Sequence, residues 1–307
     1  MHDSDKTLGE RTLAFYLESA LRGFGRPVLI EKFPDRQSNS TYKFALPSGA
    51  IVMRQKPPSA LMGRVRAMDR EFKVITALRG TGVPVPQPFV SCDDENVIGS
   101  PFLAILYVNG RVFWAPAFPT PRPAERASIY ESINVILAAI GRIGTTDLDL
   151  ADFGKPDDYF EQQIQLWSRE HLDSATENIA EIEELIEWLP AHLPSSENRT
   201  SSVHGDFRLD NLVCYPIEPR AVAVLDWEWS TVGDPDADFA YLCMQWRLPS
   251  GNDWRGLDGS DRVVLLKAVR RTAQLSQSTM ENRIIWRSKR ACLPQPDQHN
   301  PSTSRIN

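Results

Sequence analysis

Residues 203–212 read VHGDFRLDNL, and residues 221–228 read AVAVLDWE. Each stretch is predicted to be a short apolar strand attached to a polar loop. Asp206 and Asn211 lie five residues apart in the first stretch, and Asp226 directly follows the apolar run of the second. These two stretches give the clearest indication of the fold and of the chemistry of the whole chain.

These side chains match the requirements of phosphate transfer from ATP. One carboxylate must orient the acceptor hydroxyl and accept its proton, and oxygen ligands must hold the Mg²⁺ that bridges the phosphates. The protein-kinase template has the same order, with an Asp, an Asn five residues later and a second Asp after a following strand. A lone His-Gly-Asp is ordinary turn chemistry, but the joint pattern is specific. It therefore predicts that Asp206, Asn211 and Asp226 form a catalytic set.

Two neighbours of this set are predicted to support it. We expect His204 to hold the loop by hydrogen bonds rather than to transfer a proton directly. Arg208 has two interpretations that the sequence leaves open. It could neutralise phosphate, or it could pin the loop through a carboxylate such as Asp238.

Composition excludes several other classes of protein. The chain has 307 residues, enough for about two domains or one two-lobed domain, and a formal net charge of −6. That charge argues against a dedicated nucleic-acid-binding protein. No apolar run is long enough to span a membrane, and acids near the N-terminus argue against a secretory signal. Four widely spaced cysteines fit neither a disulfide framework nor a zinc site, so we expect a cytoplasmic protein without nucleic-acid or membrane partners.

Hydrophobic periodicity predicts an α+β chain that begins with a small mixed lobe and becomes mainly helical. The turn residues Pro47-Ser48-Gly49 predict a hairpin, and Asp234 is predicted to cap a helix that starts at Pro235. The predicted strands are 28–33, 41–46, 50–54 and a pair formed by 97–98 with 102–108. The predicted helices are 6–22, 67–78, 124–142, 157–171, 177–188 and 235–246.

The chain resembles the aminoglycoside phosphotransferase-like superfamily of kinase-fold proteins. It is most similar to the branch found alone in bacteria and fused to acyl-CoA dehydrogenases, as in the family member 10 and 11 type of protein. The matching stretches occur in order over about residues 8–250: QSNSTY (37–42), VMRQKPP (52–58), MDREFKVITAL (68–78), GVPVPQP (82–88), VIGSPF (97–102), NGRVFW (109–114), ADFGKPDDYF (151–160), IEWLPAHLP (186–194), VHGDFRLDNL (203–212) and VLDWEWSTVGDPDADFAYLCMQW (224–246).

The resemblance implies a two-lobed, protein-kinase-like fold with ATP in the cleft. We expect a mainly antiparallel, nucleotide-binding N-lobe over residues 1–108 and a mainly helical catalytic and acceptor lobe over 109–258. Residues 259–307 do not look like the helices that the superfamily usually has here. We therefore expect an atypical, partly disordered C-terminal end.

The resemblance also implies roles for single residues. Asp206 would be the catalytic base, and Asn211 and Asp226 would be ligands of Mg²⁺. Arg54 stands where the superfamily often has a phosphate-contacting Lys, and Glu71 stands where its ion-pair partner lies. Because Arg and Lys are not interchangeable, Lys56 remains a competing candidate for the phosphate contact.

Further nucleotide contacts follow from the same resemblance. The loop between the first two strands would cover the phosphates with backbone N–H groups and hydroxyls, and the lobe junction would present backbone groups to adenine. The loop residues are Gln37, Ser38, Asn39, Ser40 and Thr41. The junction residues are Leu106, Tyr107 and Val108.

Some features depart from the superfamily. Residues 33–37 read FPDRQ where related chains usually carry glycines, and Asp35 adds negative charge near the triphosphate. No acyl-CoA dehydrogenase segment is recognised, so a coupled oxidation would need a separate dehydrogenase as partner.

The sequence thus favours an ATP- and Mg²⁺-dependent kinase of a small-molecule hydroxyl, and the branch suggests a hydroxyacyl-CoA or related hydroxy acid as acceptor. The alternative is a catalytically impaired kinase-fold protein that binds nucleotide or another ligand. Aminoglycoside modification is less favoured, because acidic drug-binding helices are not recognised near the C-terminus. A protein kinase fits poorly, because no Ala-Pro-Glu motif follows Asp226.

Overall fold

The computed structural model describes residues 12–13, 15–21, 24–33, 40–55, 62–114, 123–144, 158–193 and 200–245. Several sequence predictions fall outside these residues. They are the phosphate-covering residues Gln37, Ser38 and Asn39, the alternative cation Lys56, and the C-terminal end 259–307.

The first lobe is built on a five-stranded antiparallel sheet. Its strands are β1 Val28–Lys32, β2 Ser40–Leu46, β3 Gly49–Gln55, β4 Pro88–Cys92 and β5 Phe102–Leu106. They lie in the order β1-β2-β3-β5-β4 across the sheet. The hairpin between β2 and β3 is confirmed, because Leu46 pairs with Gly49 across the two-residue turn.

The two faces of this sheet pack against different helices. Ile51 and Met53 point into a cluster with Leu17, which belongs to the helical residues 15–20 near the N-terminus. Because side chains alternate along a strand, Val52 lies on the opposite face, where it packs with Met68 of helix α1, Met62–Leu78. Arg54 shares the face of Val52, and the strand therefore presents its guanidinium toward α1.

The predicted strand at Val97-Ile98 is wrong. Residues Glu95–Ile98 form one helical turn, because the Asp94 carboxylate accepts a hydrogen bond from the N–H of Asn96 at 2.9 Å. Gly99 then ends the turn with φ of 82°, and its N–H donates to the Glu95 carbonyl at 2.7 Å. Strand β5 pairs with β3 on one side and with β4 on the other, and Pro88 is tolerated in β4 because β4 lies at the sheet edge.

The second lobe is larger and mainly helical, which confirms the predicted α+β class. The predicted helices are present over the described residues, with ends that move by a few positions, and α1 begins five residues earlier than predicted. The elements are β6 Arg111–Val112, α2 Pro123–Ile140, α3 Tyr159–Ser174, α4 Ala180–Trp188, β7 Ser201–Val203, β8 Leu212–Cys214, β9 Ala221–Val224, β10 Thr231–Gly233 and α5 Asp236–Met244. Single 3₁₀ turns cover Leu189–His192, Leu209–Asn211 and Trp227–Trp229. Among the described residues, no helix has the length and apolar character needed to cross a membrane.

Helix α1 joins the two lobes. Its C-terminal half, including Ile75 and Leu78, is buried in the same core as Ile133 of α2 and Trp227 of the second lobe. The Arg70 guanidinium also donates to the Ser230 carbonyl at 2.9 Å. The helix that faces Arg54 is thus fixed against the turn that follows Asp226.

Candidate active site

The loop that follows β7 holds Asp206 and Asn211 together. The Asn211 side-chain nitrogen Nδ2 donates to the Asp206 carbonyl oxygen and to its Oδ2, each at 2.8 Å. The 3₁₀ turn Leu209–Asn211 brings these groups together across the five-residue interval. Because Nδ2 is bonded to Asp206, the amide oxygen of Asn211 is the atom that can serve as a metal ligand.

His204 stabilises the loop through its buried ring. Its ring is fully buried, and the centroid of the ring lies 4.5 Å from that of the Trp227 ring. The ring nitrogen Nδ1 accepts a hydrogen bond from the Asp206 N–H at 3.1 Å. Because Nδ1 accepts, we assign the ring proton to Nε2, which donates to the Leu225 carbonyl at 2.9 Å. Both ring nitrogens are therefore occupied by the backbone, which suits a supporting role.

Asp238 of helix α5 binds the backbone of the same loop. Its carboxylate accepts from the N–H groups of His204 and Gly205, at 2.6 and 2.8 Å. Burial raises the pKa of the Asp238 carboxyl above its ordinary value, while His204 and the two backbone donors act in the opposite direction. The Asp234 carboxylate accepts from the Asp236 N–H at 2.9 Å at the start of α5, as a capping residue does.

Gly205 is required by its conformation and by its surroundings. Its φ is 85°, in the left-handed region, and a Cβ at this position would lie 2.5 Å from the Trp229 carbonyl oxygen. The turn after Asp226 therefore packs directly against the residue before Asp206.

The hairpin of β8 and β9 brings Asp226 to Asn211. The Leu225 N–H donates to the Asn211 carbonyl at 2.8 Å, and Asp226 follows with φ of 67°. An amide oxygen and a carboxylate are ligands that Mg²⁺ accepts, and this ion usually completes its shell with waters and substrate phosphates. The donor set fits Mg²⁺ on that basis, although the described residues contain no cluster of three His, Cys, Asp or Glu that could hold a metal by itself.

Arg54 connects the two lobes through a pair of carboxylates. Its Nη1 lies 2.7 Å from Glu71 Oε1 on α1, and its Nη2 lies 2.8 Å from Asp226 Oδ1. The three side chains are largely buried, with exposed fractions of 11%, 2% and 11%. A planar guanidinium can reach two carboxylates at once, which a lysine ammonium does less well.

Burial and the neighbouring charges shift the pKa values of Arg54 and Glu71. Burial would lower the pKa of Arg54, but the Glu71, Asp226 and Glu228 carboxylates together raise it above its ordinary value. Burial raises the pKa of the Glu71 carboxyl, and the Arg54 guanidinium opposes that rise. Arg54 is therefore a permanent cation at the junction of the lobes.

Arg208 lies between acids of its own loop. Its Nε is 3.2 Å from Asp206 Oδ1 and 3.2 Å from Asp210 Oδ1, without the alignment of a hydrogen bond. The described contacts thus pair Arg208 with these carboxylates, whereas Asp238 binds the loop backbone.

Tyr241 is a site residue that the sequence analysis missed. Burial, and after it the negative charge of Asp206, raise the pKa of Tyr241 to about 12. The signal in the sequence is its spacing of three residues from Asp238, which places both side chains on one face of α5. That spacing is informative only once α5 is known to pack against the loop.

The structure describes part of the predicted nucleotide site. Ser40 and Thr41 begin β2, with Thr41 paired across the sheet with Arg54. At the lobe junction, the N–H groups of Leu106 and Tyr107 donate to the carbonyls of Gln87 and Ala50, at 2.8 and 2.9 Å.

Val108 completes the predicted junction. Of its three residues, it is the one whose N–H has no backbone acceptor within the part of the chain that the structure describes. Its N–H is therefore the junction donor best suited to a ligand.

The five tryptophans that the structure describes divide into two groups. Trp227 is fully buried, and its Nε1 donates to the Val224 carbonyl at 3.0 Å. Trp229 and Trp167 of α3 are half-exposed, with ring centroids 5.4 Å apart, while Trp114 and Trp188 are also half-exposed. Core packing therefore explains Trp227 but not the other four.

Comparison with known proteins gives the family. The chain is 42% identical over 224 residues to mouse (Mus musculus) acyl-CoA dehydrogenase family member 10, a match that covers 73% of this chain and 21% of the relative. It therefore spans about a fifth of that protein. A crystal structure from Ralstonia eutropha JMP134, assigned as an aminoglycoside phosphotransferase, is 34% identical with a TM-score of 0.70, and the match covers 92% and 95% of the two chains.

A more distant structure shares the fold. The ternary complex of streptomycin, ATP and APH(2″)-IIa has a TM-score of 0.56 at 16% identity, over 91% of this chain and 89% of that one. The two-lobed, kinase-like fold and the resemblance inferred from the sequence are thus confirmed. Residues 29–259 match the phosphotransferase enzyme family, and the chain belongs to this family.

Proposed function

We propose that this chain is an ATP- and Mg²⁺-dependent phosphotransferase whose acceptor is a hydroxyl group of a small molecule. The observation that carries the proposal is the pairing of Asp206 with Asn211 beside Asp226, which is itself bonded to Arg54. A base, two oxygen ligands and a cation are thus held in one place by residues far apart in the sequence. This is the set that phosphate transfer requires.

In this proposal Asp206 orients the acceptor and takes its proton. The acceptor hydroxyl donates to the Asp206 carboxylate, its oxygen forms a bond to the γ-phosphorus of ATP, and the bond from that phosphorus to the ADP oxygen breaks. Asn211 keeps the carboxylate in place through its 2.8 Å bond to Oδ2. Positioning of this kind accounts for most of the acceleration in phosphate transfer.

Asn211 and Asp226 are the residues that would hold Mg²⁺. When bound, Mg²⁺ would supply positive charge that compensates the negative charge of the phosphates during transfer. The Asn211 amide is oriented by Asp206, and Asp226 is held by Arg54 at 2.8 Å.

Arg54 supplies the nearby positive charge. Its bonds to Glu71 and Asp226 hold the guanidinium between α1 and the residue that binds the metal in this proposal, and from there it would contact phosphate oxygens. Arg54 is the described candidate for this contact. The phosphate-covering role of residues 37–41 and the division into segments 1–108, 109–258 and 259–307 remain predictions from the sequence.

For the acceptor, we propose a hydroxyacyl-CoA or a related hydroxy acid. Support comes from the similarity to a protein named for acyl-CoA dehydrogenation, whose remaining length lies outside the match. A separate acyl-CoA dehydrogenase would then be the functional partner. A cytoplasmic location also stays a prediction.

The second candidate is a kinase-fold protein that binds nucleotide without transferring phosphate. The sequence FPDRQ at residues 33–37 favours it, because a stiff, acidic segment near the triphosphate would weaken ATP binding. Intact Asp206, Asn211 and Asp226 favour the phosphotransferase instead.

Measurements of ADP release and of Mg·ATP binding separate these candidates. Wild-type protein would be incubated with Mg·ATP and one acceptor at a time: hydroxyacyl-CoAs, free hydroxy acids, amino alcohols or aminoglycosides. We expect acceptor-stimulated ADP release with a hydroxyacyl-CoA or hydroxy acid. Mg·ATP binding with no release for any acceptor would favour the binding protein, and stimulation by aminoglycosides alone would contradict the proposed acceptor class.

A further inference from the structure

Two half-exposed tryptophan rings lie together beside the catalytic loop. Trp229 ends the turn that follows Asp226, and Trp167 lies on helix α3, with the two ring centroids 5.4 Å apart. The exposed fractions of the two residues are 51% and 50%. Large aromatic side chains are mostly buried in folded proteins, so an adjacent pair that stays half-exposed next to a reactive loop indicates a surface for a ligand.

The pair adjoins the residue that precedes the proposed base. A Cβ on Gly205 would lie 2.5 Å from the Trp229 carbonyl oxygen and 3.0 Å from the Trp229 Cβ, so the backbones of the two residues are in contact. Gly205 is exposed, and the Asp206 side chain keeps an exposed fraction of 17%. The accessible parts of Asp206, Gly205 and Trp229 therefore lie next to one another.

Helix α3 is held along this side of the loop at two points. At its first residue, the Tyr159 ring packs on Gly233, where a Cβ would collide with the ring. At Trp167 the helix meets Trp229, so α3 runs antiparallel to residues 229–233. Tyr159 and Trp167 are separated by about 12 Å of helix, which is close to the length of about 13 Å of four extended residues. Packing at both points thus fixes the position of Trp167 beside the loop.

The two indole rings offer mainly apolar surface. The polar atom of the Trp167 ring, Nε1, donates to Gln163 Oε1 at 3.3 Å within α3. The faces and edges of the rings are therefore the parts that can contact a ligand. Ligand sites typically combine apolar and aromatic walls with a few polar groups that orient the ligand, and Asp206 is such a group here.

We propose that Trp229 and Trp167 form the aromatic wall of the acceptor site, against which the hydrocarbon chain of a hydroxy acid or hydroxyacyl thioester packs while its hydroxyl reaches Asp206. This inference rests on the proposed function and deepens it, because it requires an acceptor with an apolar chain next to the reacting hydroxyl. The chain length of the acceptor is then the property that the wall selects.

Calorimetric titration with unreactive acyl compounds tests the wall without phosphate transfer. The probes are butyryl-CoA, decanoyl-CoA and free decanoate, which have no hydroxyl. We expect wild-type protein to bind decanoyl-CoA at least about tenfold more tightly than butyryl-CoA, because each additional methylene buries apolar surface. Trp229→Ala keeps the carbonyl and the Cβ that touch Gly205, so it removes the ring without removing that contact. We expect it to weaken decanoyl-CoA binding about tenfold, and Trp229→Phe to restore most of the affinity.

The matched control is Trp188→Ala. Trp188 has the same exposed fraction of 50%, but it lies on α4 and stacks on the His192 ring at 3.8 Å. We expect this variant to bind all three probes as wild type does. Trp229-dependent binding of decanoate as well as decanoyl-CoA would support the wall for free acids, and binding of the thioester alone would support it for thioesters.

Kinetics test whether the wall serves the acceptor. Ten-carbon hydroxyacyl compounds with the hydroxyl on carbon 3 or carbon 4 would be compared with their four-carbon counterparts in ADP release. Trp229→Ala and Trp167→Ala should each raise the KM for the ten-carbon acceptor about tenfold and reduce the preference for it over the four-carbon acceptor. The KM for ATP should not change.

Each remaining outcome decides one claim. Equal effects of Trp229→Ala and Trp188→Ala, or a wild-type chain that binds none of the three probes, would overturn the wall. Binding of an amino alcohol or aminoglycoside that requires Trp229 would overturn the hydrocarbon chain as its occupant, since a cation also binds an indole face. Phosphate transfer that is insensitive to both tryptophan substitutions would overturn the wall and leave the proposed function standing. Trp229-dependent binding by a chain that transfers no phosphate would contradict the proposed function instead.

Discussion

At the scale of single residues, the Arg54 guanidinium joins carboxylates that lie on different lobes. It bonds Glu71 on helix α1 and Asp226 after strand β9, 17 and 172 positions away in sequence. Truncating one member of a buried ion pair leaves the other charge without compensation, which costs about 3–5 kcal/mol. Comparing the variants that lack Arg54, Glu71 or both therefore measures how strongly these two residues stabilise each other.

We expect Arg54→Met to lower the free energy of unfolding by about 3–5 kcal/mol, because Glu71 is left buried and unpaired. The double variant Arg54→Met/Glu71→Met should lose clearly less than the sum of the two single losses, since no uncompensated Glu71 charge remains. Urea unfolding of the four proteins gives the comparison. Losses that simply add would show that the two residues are not coupled.

Individual residues were predictable from the sequence to different degrees. The spacing of Asp206, Asn211 and Asp226 carries its own chemical meaning, so these residues could be selected before the fold was known. Tyr241 could not, because nothing in the sequence says that α5 packs against the loop. The bond from Arg54 to Asp226 likewise depends on how the lobes meet.

At the scale of elements, the turn Glu95–Ile98 shows how local capping overrides an apolar pattern. Val97-Ile98 is predicted as a strand that pairs with residues 102–108 around Gly99-Ser100-Pro101. Asp94 instead accepts from the Asn96 N–H, and Gly99 supplies the left-handed ending. Asp94 and Gly99 are visible in the sequence, and their capping geometry, rather than the apolar pair between them, determines the local structure.

Asp94→Ala should therefore cost about 1 kcal/mol of unfolding free energy, because the Asn96 N–H loses its side-chain acceptor. The neighbouring variant Asp93→Ala removes an exposed carboxylate that does not cap the turn, and it is expected to leave stability within about 0.5 kcal/mol of wild type. Thermal and urea unfolding would measure both. Equal effects of the two substitutions would argue against the cap.

A second matched pair consists of Gly205, in the loop after β7, and Gly80, which follows the end of helix α1. Both have φ near 80°, but a Cβ at Gly205 meets the Trp229 carbonyl at 2.5 Å, whereas a Cβ at Gly80 meets nothing within 4 Å. Gly80→Ala should cost about 1–2 kcal/mol, the conformational penalty alone. Gly205→Ala should cost more, because the turn after Asp226 must also move. Equal losses in denaturant unfolding would show that the close approach is not required.

At the scale of the whole molecule, the site exists because the two lobes share one core. The C-terminal half of α1 is buried with Trp227, and Arg70 bonds the Ser230 carbonyl at 2.9 Å. The α+β class and the order of the elements could be predicted from periodicity and turn residues. The mutual placement of the lobes could not, since it depends on side chains such as Ile75 and Ile133 that pattern alone only marks as apolar.

The most direct test of the account is the turnover of Asp206→Ala in acceptor-stimulated ADP release, with Mg·ATP binding measured in parallel. Asp206 contacts the acceptor rather than the nucleotide in the proposed mechanism, so its loss should affect transfer far more than binding. We expect at least about a hundredfold loss of turnover with nearly unchanged affinity for Mg·ATP. Normal turnover in Asp206→Ala would contradict the assignment of the base, and with it the central claim.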